Sequence, residues 1–329
     1  VTHNSASDLP GCLAALAATT HRPLEVVIVD CASEDDSVAT ARRAAPPGLP
    51  VRVVPLAENH GYAGGMNVAL GETAAPFVLL LNADAHPAPD YVARLLAHFA
   101  ADEGDRRSEG DAGRRVGGAT GRLVRAGESP RTLDACGMRL TLTWRHLDRG
   151  SGEPDRGQLA APERVFGATG AASLFRRAAL DDCAVAGEVF DSAFHSFRED
   201  AELAFRLRER GWEIHYEPAA VALHRRWNLP ATRRSMPPQV NFHSLKNRYL
   251  LRLYHQSGPN LLLTLVPALA RDLFALFYVL LREPSSLVAY RWLWHNRRAI
   301  LARRRAVRAR RTVGNWAVDR WFFRSGEPL

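Results

Sequence analysis

Continuous apolar runs and helix-spaced apolar residues take turns along the first hundred residues of this chain. Residues 9–18 carry apolar side chains at helical spacing, with Asp8 at the N-cap position and Pro10 in the first turn, where a missing N–H is harmless. Residues 24–29, Val51–Leu56 and Phe77–Leu81 read as strands, and residues 33–45, 62–70 and 89–99 as the helices between and after them. The run Phe77-Val78-Leu79-Leu80-Leu81 is apolar without alternation, the pattern of a strand covered on both faces. This alternation predicts an α/β fold with a Rossmann-like, mostly parallel sheet flanked by helices and joined by right-handed crossovers.

Further along, residues 102–115 are polar and glycine-rich and read as a loop, and residues 116–144 as strands and hairpins. Ser196-Phe197-Arg198-Glu199 has the spacing of a capping box, opening a helix that runs to Arg210 and stops at Gly211. Two short strands, 213–216 and 219–223, lead to His224. After about residue 229 the character changes. Residues 260–281 are strongly apolar, yet Pro267 interrupts them and Arg271 and Asp272 fall at the centre, where two charges would cost a spanning helix roughly 5–7 kcal/mol. Thr264, Ala268, Arg271, Ala275, Tyr278 and Arg282 form a less apolar stripe, so the segment suits a membrane interface or packing on a domain. The expected organisation is a domain over 1–228 and a helical, basic, membrane-associating C-terminal region over 229–329.

Composition adds location. Apolar residues make up 47% and charged residues 24%, as in a soluble globular protein. The formal net charge of +8 is uneven: residues 290–311 hold nine arginines and no acid, and the remainder is close to neutral. With Trp292, Trp294, Trp316 and Trp321 nearby, that block fits an anionic membrane surface, against the plainer reading of a solvated helical face. Cys12, Cys31, Cys136 and Cys183 have no metal-ligand spacing and read as reduced thiols. No secretory signal pattern is visible, and a first strand entering at Val1-Thr2 is expected to be short by a few residues. The expected location is cytoplasmic, peripheral on the inner face of the cell membrane.

Chemistry-bearing residues gather at strand ends, where open α/β folds place ligands. Asp30 closes one strand, Asn82 and Asp84 follow another, Glu199 and Asp200 open a helix, and His224 follows a short apolar strand. A carboxylate at such an edge holds a hard divalent cation that also ligates a diphosphate, or simply turns the chain. Asn59-His60-Gly61-Tyr62-Ala63-Gly64-Gly65-Met66-Asn67 offers either backbone N–H groups to phosphate and sugar oxygens or a plain helix entry. Glu199 is accounted for by capping, Asp200 less so, and a carboxylate there suits a general base.

In order along residues 1–228, several segments together resemble the inverting nucleotide-sugar glycosyltransferases of family 2, with the glycosyltransferase A fold. They are Val1-Thr2-His3-Asn4-Ser5, Val27-Ile28-Val29-Asp30-Cys31-Ala32-Ser33, the glycine-rich segment, Leu80-Leu81-Asn82-Ala83-Asp84, Gly167-Ala168-Thr169-Gly170-Ala171-Ala172, Phe190-Asp191, Arg198-Glu199-Asp200-Ala201-Glu202-Leu203 and Ala222-Leu223-His224. The nearest likeness is to the rhamnosyltransferase-like branch that builds cell-surface polysaccharides and lipid-linked glycans. The resemblance implies that Thr2, Asn4 and Asp30 frame the nucleotide base, and that Gly61, Gly64, Asn67, Asn82 and Glu199 line the nucleotide-sugar site. It further implies that Asp84 and His224 hold Mg²⁺ or Mn²⁺ on the diphosphate, and that Asp200 is the base toward a glycan or lipid-linked saccharide acceptor. Asn82 stands where the first acid of the usual Asp-x-Asp is expected, and Cys31 where this branch often has Asn.

Other classes fit less well. A sugar nucleotidyltransferase needs a basic glycine-rich loop after its first strand, and residues 2–11 contain no Lys or Arg. A dehydrogenase needs Gly-x-Gly-x-x-Gly at the same turn, which is absent. A nucleic-acid binder would use the arginine block, but no aromatic-basic recognition module accompanies it, so nucleic acid is an unlikely partner.

Overall fold

A computed structural model describes residues 1–109, 115–226 and 237–329. The boundary expected at residue 228, and positions 110–114 of the expected loop, lie outside the described residues. The first part follows the hydrophobic pattern: α1 (Leu9–Ala17), β1 (Val26–Cys31), α2 (Ser37–Arg43), β2 (Val51–Leu56), α3 (Gly61–Gly71) and β3 (Phe77–Leu81) alternate as expected. Next come β4 (Ala85–Pro87), α4 (Tyr91–Glu109), β5 (Arg115–Arg125), β6 (Leu133–Ala135), β7 (Met138–Leu140), β8 (His146–Asp148), β9 (Glu163–Arg164) and β10 (Ala172–Arg176). They are followed by α5 (Arg177–Cys183), α6 (Glu199–Glu209) and the long β11 (Trp212–His224). The C-terminal region comprises α7 (Pro238–His255), α8 (Gly258–Arg282), α9 (Val288–His295), α10 (Arg297–Ala309), α11 (Asn315–Asp319) and a short β12 (Glu327–Pro328).

The α/β class holds, and within it the strand pairing is mixed rather than mostly parallel. β1 and β2 pair in parallel, as do β5 and β11, whereas β10 lies antiparallel between β3 and β5. The reason is connectivity: between β5 and β10 the chain returns through short strands and turns instead of helical crossovers. Between β1 and β3 lies an apolar cavity of about 700 Å³, walled by strand residues such as Val26, Ile28, Leu79 and Leu81 and by Leu13 and Leu16 of α1. Thr2 bridges Asp30 in parallel at its rim.

Register builds the site. β4 runs antiparallel to β11 with His224 opposite Ala85, which sets His224 beside Asp84. On the other side β11 pairs with β5, and β6 pairs with β5 through Leu123 opposite Ala135, so Asp134 of β6 arrives at the same place.

Several expectations change. α4 continues to Glu109 through residues read as loop, because Glu and Arg are good helix formers and the single Gly104 costs only about 1 kcal/mol. The two short strands before His224 are one strand with irregular pairing between Glu217 and Val221. α8 runs through Pro267 unbroken, anchored on either side by buried Thr264 and Ala268. The capping box at Ser196 does not form. Arg198, at φ 71°, is the N-cap and its side chain makes no capping bond, and Ser196 Oγ instead accepts from Tyr62 N–H at 3.4 Å.

The C-terminal helices share the main core. Leu250 and Tyr254 of α7, Ala268 of α8, Ile300 of α10 and Trp321 join one buried cluster with Leu80, Phe166 and Phe205. Trp321 is thus a core residue, with the Arg208 guanidinium 4.5 Å from its ring centroid. At least five arginines of the basic block bond to the protein itself, among them Arg297, which donates to Trp294 O (2.8 Å). Arg303 donates to Val185 O (2.8 Å), Arg304 to Gln256 O (2.6 Å), Arg310 to Asp182 O (3.0 Å) and Arg311 to Val313 O (3.0 Å). All four cysteines are buried free thiols.

Candidate active site

A cavity of about 450 Å³ opens where β3, β11 and the entry of α6 meet, lined by Asn82, Asp84, His224, Glu199 and Asp200 among others. These are the metal, base and sugar-site candidates of the sequence, brought to one place by three separate segments. The His224 ring bridges two carboxylates: Nδ1 lies 2.7 Å from Asp134 Oδ2 and Nε2 lies 3.2 Å from Asp84 Oδ1. Burial alone would lower its pKa, but the bonds to Asp134 and Asp84 raise it to about 9. Burial works against the ionised form of Asp84 too, yet His224 brings its carboxyl below the usual range. Arg226 completes the group, 2.9 Å from Asp134 and 2.8 Å from Asp148.

Asp200 sits at the cavity wall in the first turn of α6. Its Oδ2 accepts from Gly170 N–H at 3.1 Å and its Oδ1 from Ala201 N–H at 2.7 Å. Burial pushes its pKa up to about 6, with the Gly170 N–H opposing. Glu199 is buried more deeply, its Oε2 has no partner, and burial followed by the Asp200 charge holds its carboxyl well above the ordinary value. Burial raises both adjacent carboxyls, and Asp200, pushed up to about 6, is the one poised to ionise near neutrality.

The remaining candidates fall elsewhere. Thr2, Asn4 and Asp30 form their own corner at the end of β1. Asp30 Oδ1 accepts from Thr2 Oγ1 (2.9 Å) and Ser33 Oγ (2.6 Å), while Asn4 Oδ1 accepts from Glu34 N–H (2.8 Å). None of the three lines the cavity. Gly61, at φ 66°, is required for packing: a Cβ there would stand 2.5 Å from His195. A Cβ on Gly64 would stand 2.7 Å from the His60 side chain. Asn67 does not line the cavity: its Nδ2 donates to Phe190 O (2.7 Å) and its Oδ1 accepts from Phe190 N–H (2.9 Å), so the amide clamps a loop.

Sequence reasoning missed Asp134, His146, Asp148 and Arg226, all of which line the cavity. His146, near the Arg198 guanidinium at 3.2 Å, is kept neutral by burial and then by that charge. One signal was available: Asp134 is a single acid between Leu133 and Ala135, 1% exposed, in a strand otherwise wholly apolar.

The donor set suits a hard divalent cation. With Nδ1 of His224 engaged by Asp134, Nε2, 3.2 Å from Asp84, is the nitrogen that would ligate a cation beside Asp84 on giving up its proton. Among the described residues no three His, Cys, Asp or Glu side chains form a complete cage. One or two protein ligands plus substrate phosphates is the usual arrangement for Mg²⁺.

The sequence profile of glycosyl transferase family 2 matches residues 1–183. The chain belongs to that family. It is 28% identical over 243 residues to the N-acetylglucosaminyl-diphospho-decaprenol L-rhamnosyltransferase of Mycobacterium tuberculosis, covering 68% of this chain and 74% of the relative. Solved structures of similar fold include a mannosyltransferase from Pyrobaculum calidifontis in complex with GDP-Man and Mn²⁺, at TM-score 0.52 and 17% identity, covering 98% of this chain and 83% of that one. S. aureus TarS superposes at TM-score 0.52 and 16% identity, covering 94% of this chain and 53% of TarS. This family 2 member is a glycosyltransferase of the glycosyltransferase A fold, and Asp200 and His224 lie beyond the profile match.

Proposed function

We propose that this glycosyltransferase works with inversion, needs a divalent cation, and moves a sugar, rhamnose in the first place, from a nucleoside diphosphate to a lipid-linked saccharide. The observation that carries the reading is the single cavity shared by the Asp84–His224 pair and Asp200. Asp84 and His224 would hold Mg²⁺ or Mn²⁺ at the donor diphosphate. There the cation supplies Lewis-acid stabilisation of the leaving phosphate oxygens.

Asp200 takes the proton of the acceptor hydroxyl as that oxygen bonds to the anomeric carbon. The bond from the anomeric carbon to the donor phosphate breaks on the opposite face, and the nucleoside diphosphate departs with its electron pair. Burial and the Asp200 charge favour the protonated form of Glu199, which would offer an O–H to a sugar hydroxyl or phosphate oxygen. Asn82 offers an amide at the same wall. Rhamnose and a polyprenyl-diphosphate N-acetylglucosamine acceptor are suggested by the mycobacterial relative's name.

A membrane-surface position is part of the proposal. α8 is long and apolar enough to cross a membrane, but one side of it is buried on the protein through Thr264, Ala268 and Val279. Asp272 pairs with Arg248 (2.7 Å) and Arg252 (2.6 Å) of α7. What remains outward is apolar, which favours α8 lying in the cytoplasmic interface beside a lipid-linked acceptor.

The test is purified protein with UDP-, dTDP- and GDP-sugars and the lipid-linked acceptor, with Mg²⁺, Mn²⁺ or excess EDTA. Transfer should require the cation, and Asp84→Ala should lose the metal response while melting near the wild type. Full activity in EDTA overturns the metal assignment.

A further inference from the structure

The loop that delivers Glu199 and Asp200 is strained. His195, Phe197 and Arg198 have φ of 63°, 72° and 71°, a region that non-glycine residues seldom adopt and that persists only when the surroundings over-determine it. The surroundings here are two helices. Ala63 of α3 donates its N–H to His195 O at 2.9 Å. Asn247 of α7 places its side-chain nitrogen 2.8, 2.8 and 2.7 Å from the carbonyl oxygens of Phe194, Ser196 and Phe197. Every carbonyl from Phe194 to Phe197 therefore has a donor, three of the four sharing the two N–H groups of the Asn247 amide.

Asn247 is fully buried and does not itself line the cavity. Its Oδ1 has no hydrogen-bond partner, so the orientation of the amide is set by those three carbonyls. An unsatisfied buried oxygen is costly, and packing alone would be served as well by an apolar residue. The neighbouring Lys246 ammonium caps Ala193 O of the same loop, and Ser244 of the same helix lines the cavity. α7 therefore belongs to the machinery of the site.

We propose that Asn247 is a positioning residue for glycosyl transfer, fixing the 195–198 loop and through it the Asp200 carboxylate. This rests on Asp200 being the base. Misplacing a reacting group by about 1 Å can cost about 10²-fold in rate, so a loosened loop acts on turnover more than on donor binding.

The experiment compares Asn247→Ala and Asn247→Gln, alone and with Asp200→Asn, in transfer from dTDP-rhamnose to a short-chain polyprenyl-diphosphate N-acetylglucosamine. Asn247→Ala should lower kcat by about 10- to 100-fold with the donor KM within about threefold. Asn247→Gln, which keeps the donating amide, should regain a measurable part. In the Asp200→Asn background the Asn247→Ala change should cost less than about threefold, because residues acting through one another are not additive. If Asn247→Ala does not fold, Asn247→Gln carries the same comparison on its own smaller loss. The proposal is overturned by turnover within threefold of wild type in Asn247→Ala, or by an equal loss with and without Asp200. Failure of the base reading shows separately, as wild-type turnover in Asp200→Asn alone.

Discussion

A general base has to be unprotonated at the working pH and still basic enough to draw a proton, and a carboxyl pushed to about 6 meets both conditions near neutrality. Burial raises Asp200, so the protonated, inactive form gains as pH falls through that value. Turnover should be flat above about pH 7 and fall roughly tenfold per unit well below 6. Asp200→Asn should cut kcat by about 10²-fold or more, leave donor KM nearly unchanged and remove that acid limb. A rate profile from pH 5 to 8 decides it, since a limb that survives in the variant belongs to another group. Asp84, Asp200 and His224 were legible in the sequence because each closes a strand or opens a helix, a local pattern. Asp134 and Asn247 were not, because their meaning comes from pairing across the sheet and packing between helices. Asp134 meets His224 from 90 residues away.

Helix α6 shows how an element holds the site steady. Glu202 and Arg206 lie one turn apart with both side chains buried, and Arg206 also donates to Cys183 O and Val189 O at 2.6 Å each. Burial alone would raise the Glu202 pKa, but Arg206 and then His255 bring it down to about 2. Its ionised form therefore stabilises the fold above the ordinary carboxyl range, and that contribution fades as pH drops from about 4.5 toward 2. Arg206→Met should destabilise by about 3–5 kcal/mol, because it leaves the buried Glu202 charge with only His255, 3.6 Å away, to offset it. The double change with Glu202→Gln should lose less than Arg206→Met alone. Thermal melts at pH 7 compare the three, and a double change as costly as the sum of the two singles removes the pairing argument. The capping-box spacing predicted the helix and Gly211, at φ 80°, its stop. Its start was misread, since Ser196 and Glu199 have capping-box spacing while the strained loop points Ser196 at Tyr62 instead. The strands β2 and β3 matched the pattern residue for residue, being short, apolar and bounded by turns.

At the scale of the whole molecule, α8 inverts the usual rule for a surface helix. Thr264 and Ala268 face the protein, whereas Leu262 is 80% exposed, Val266 76%, Phe274 63% and Phe277 62%. A contiguous apolar face of this kind marks an interaction surface. Trp294 and Trp316 are exposed as well, and Arg297, Arg298, Arg305 and Arg308 face solvent nearby in sequence. Apolar side chains with arginines suit an anionic bilayer, each cation near such a surface contributing about 1 kcal/mol at moderate salt. The arginines that bond to the protein, such as Arg303 and Arg304, are poor probes, because replacing them would disturb packing. The informative variants are Leu262→Ser, Val266→Ser, Phe274→Ser and Phe277→Ser combined, and separately Arg298→Gln, Arg305→Gln and Arg308→Gln combined. In flotation with vesicles of anionic phospholipid, wild-type protein should bind at low salt. The serine set should abolish binding, and the glutamine set should weaken it and blunt its salt dependence. Turnover with a water-soluble short-chain acceptor should stay within about threefold in both sets, since neither touches the cavity or α7. Wild-type protein that ignores such vesicles at low salt, or a serine set that binds as well as wild type, would show that the exposed face of α8 packs against another protein surface and that the transferase reaches its acceptor without this helix.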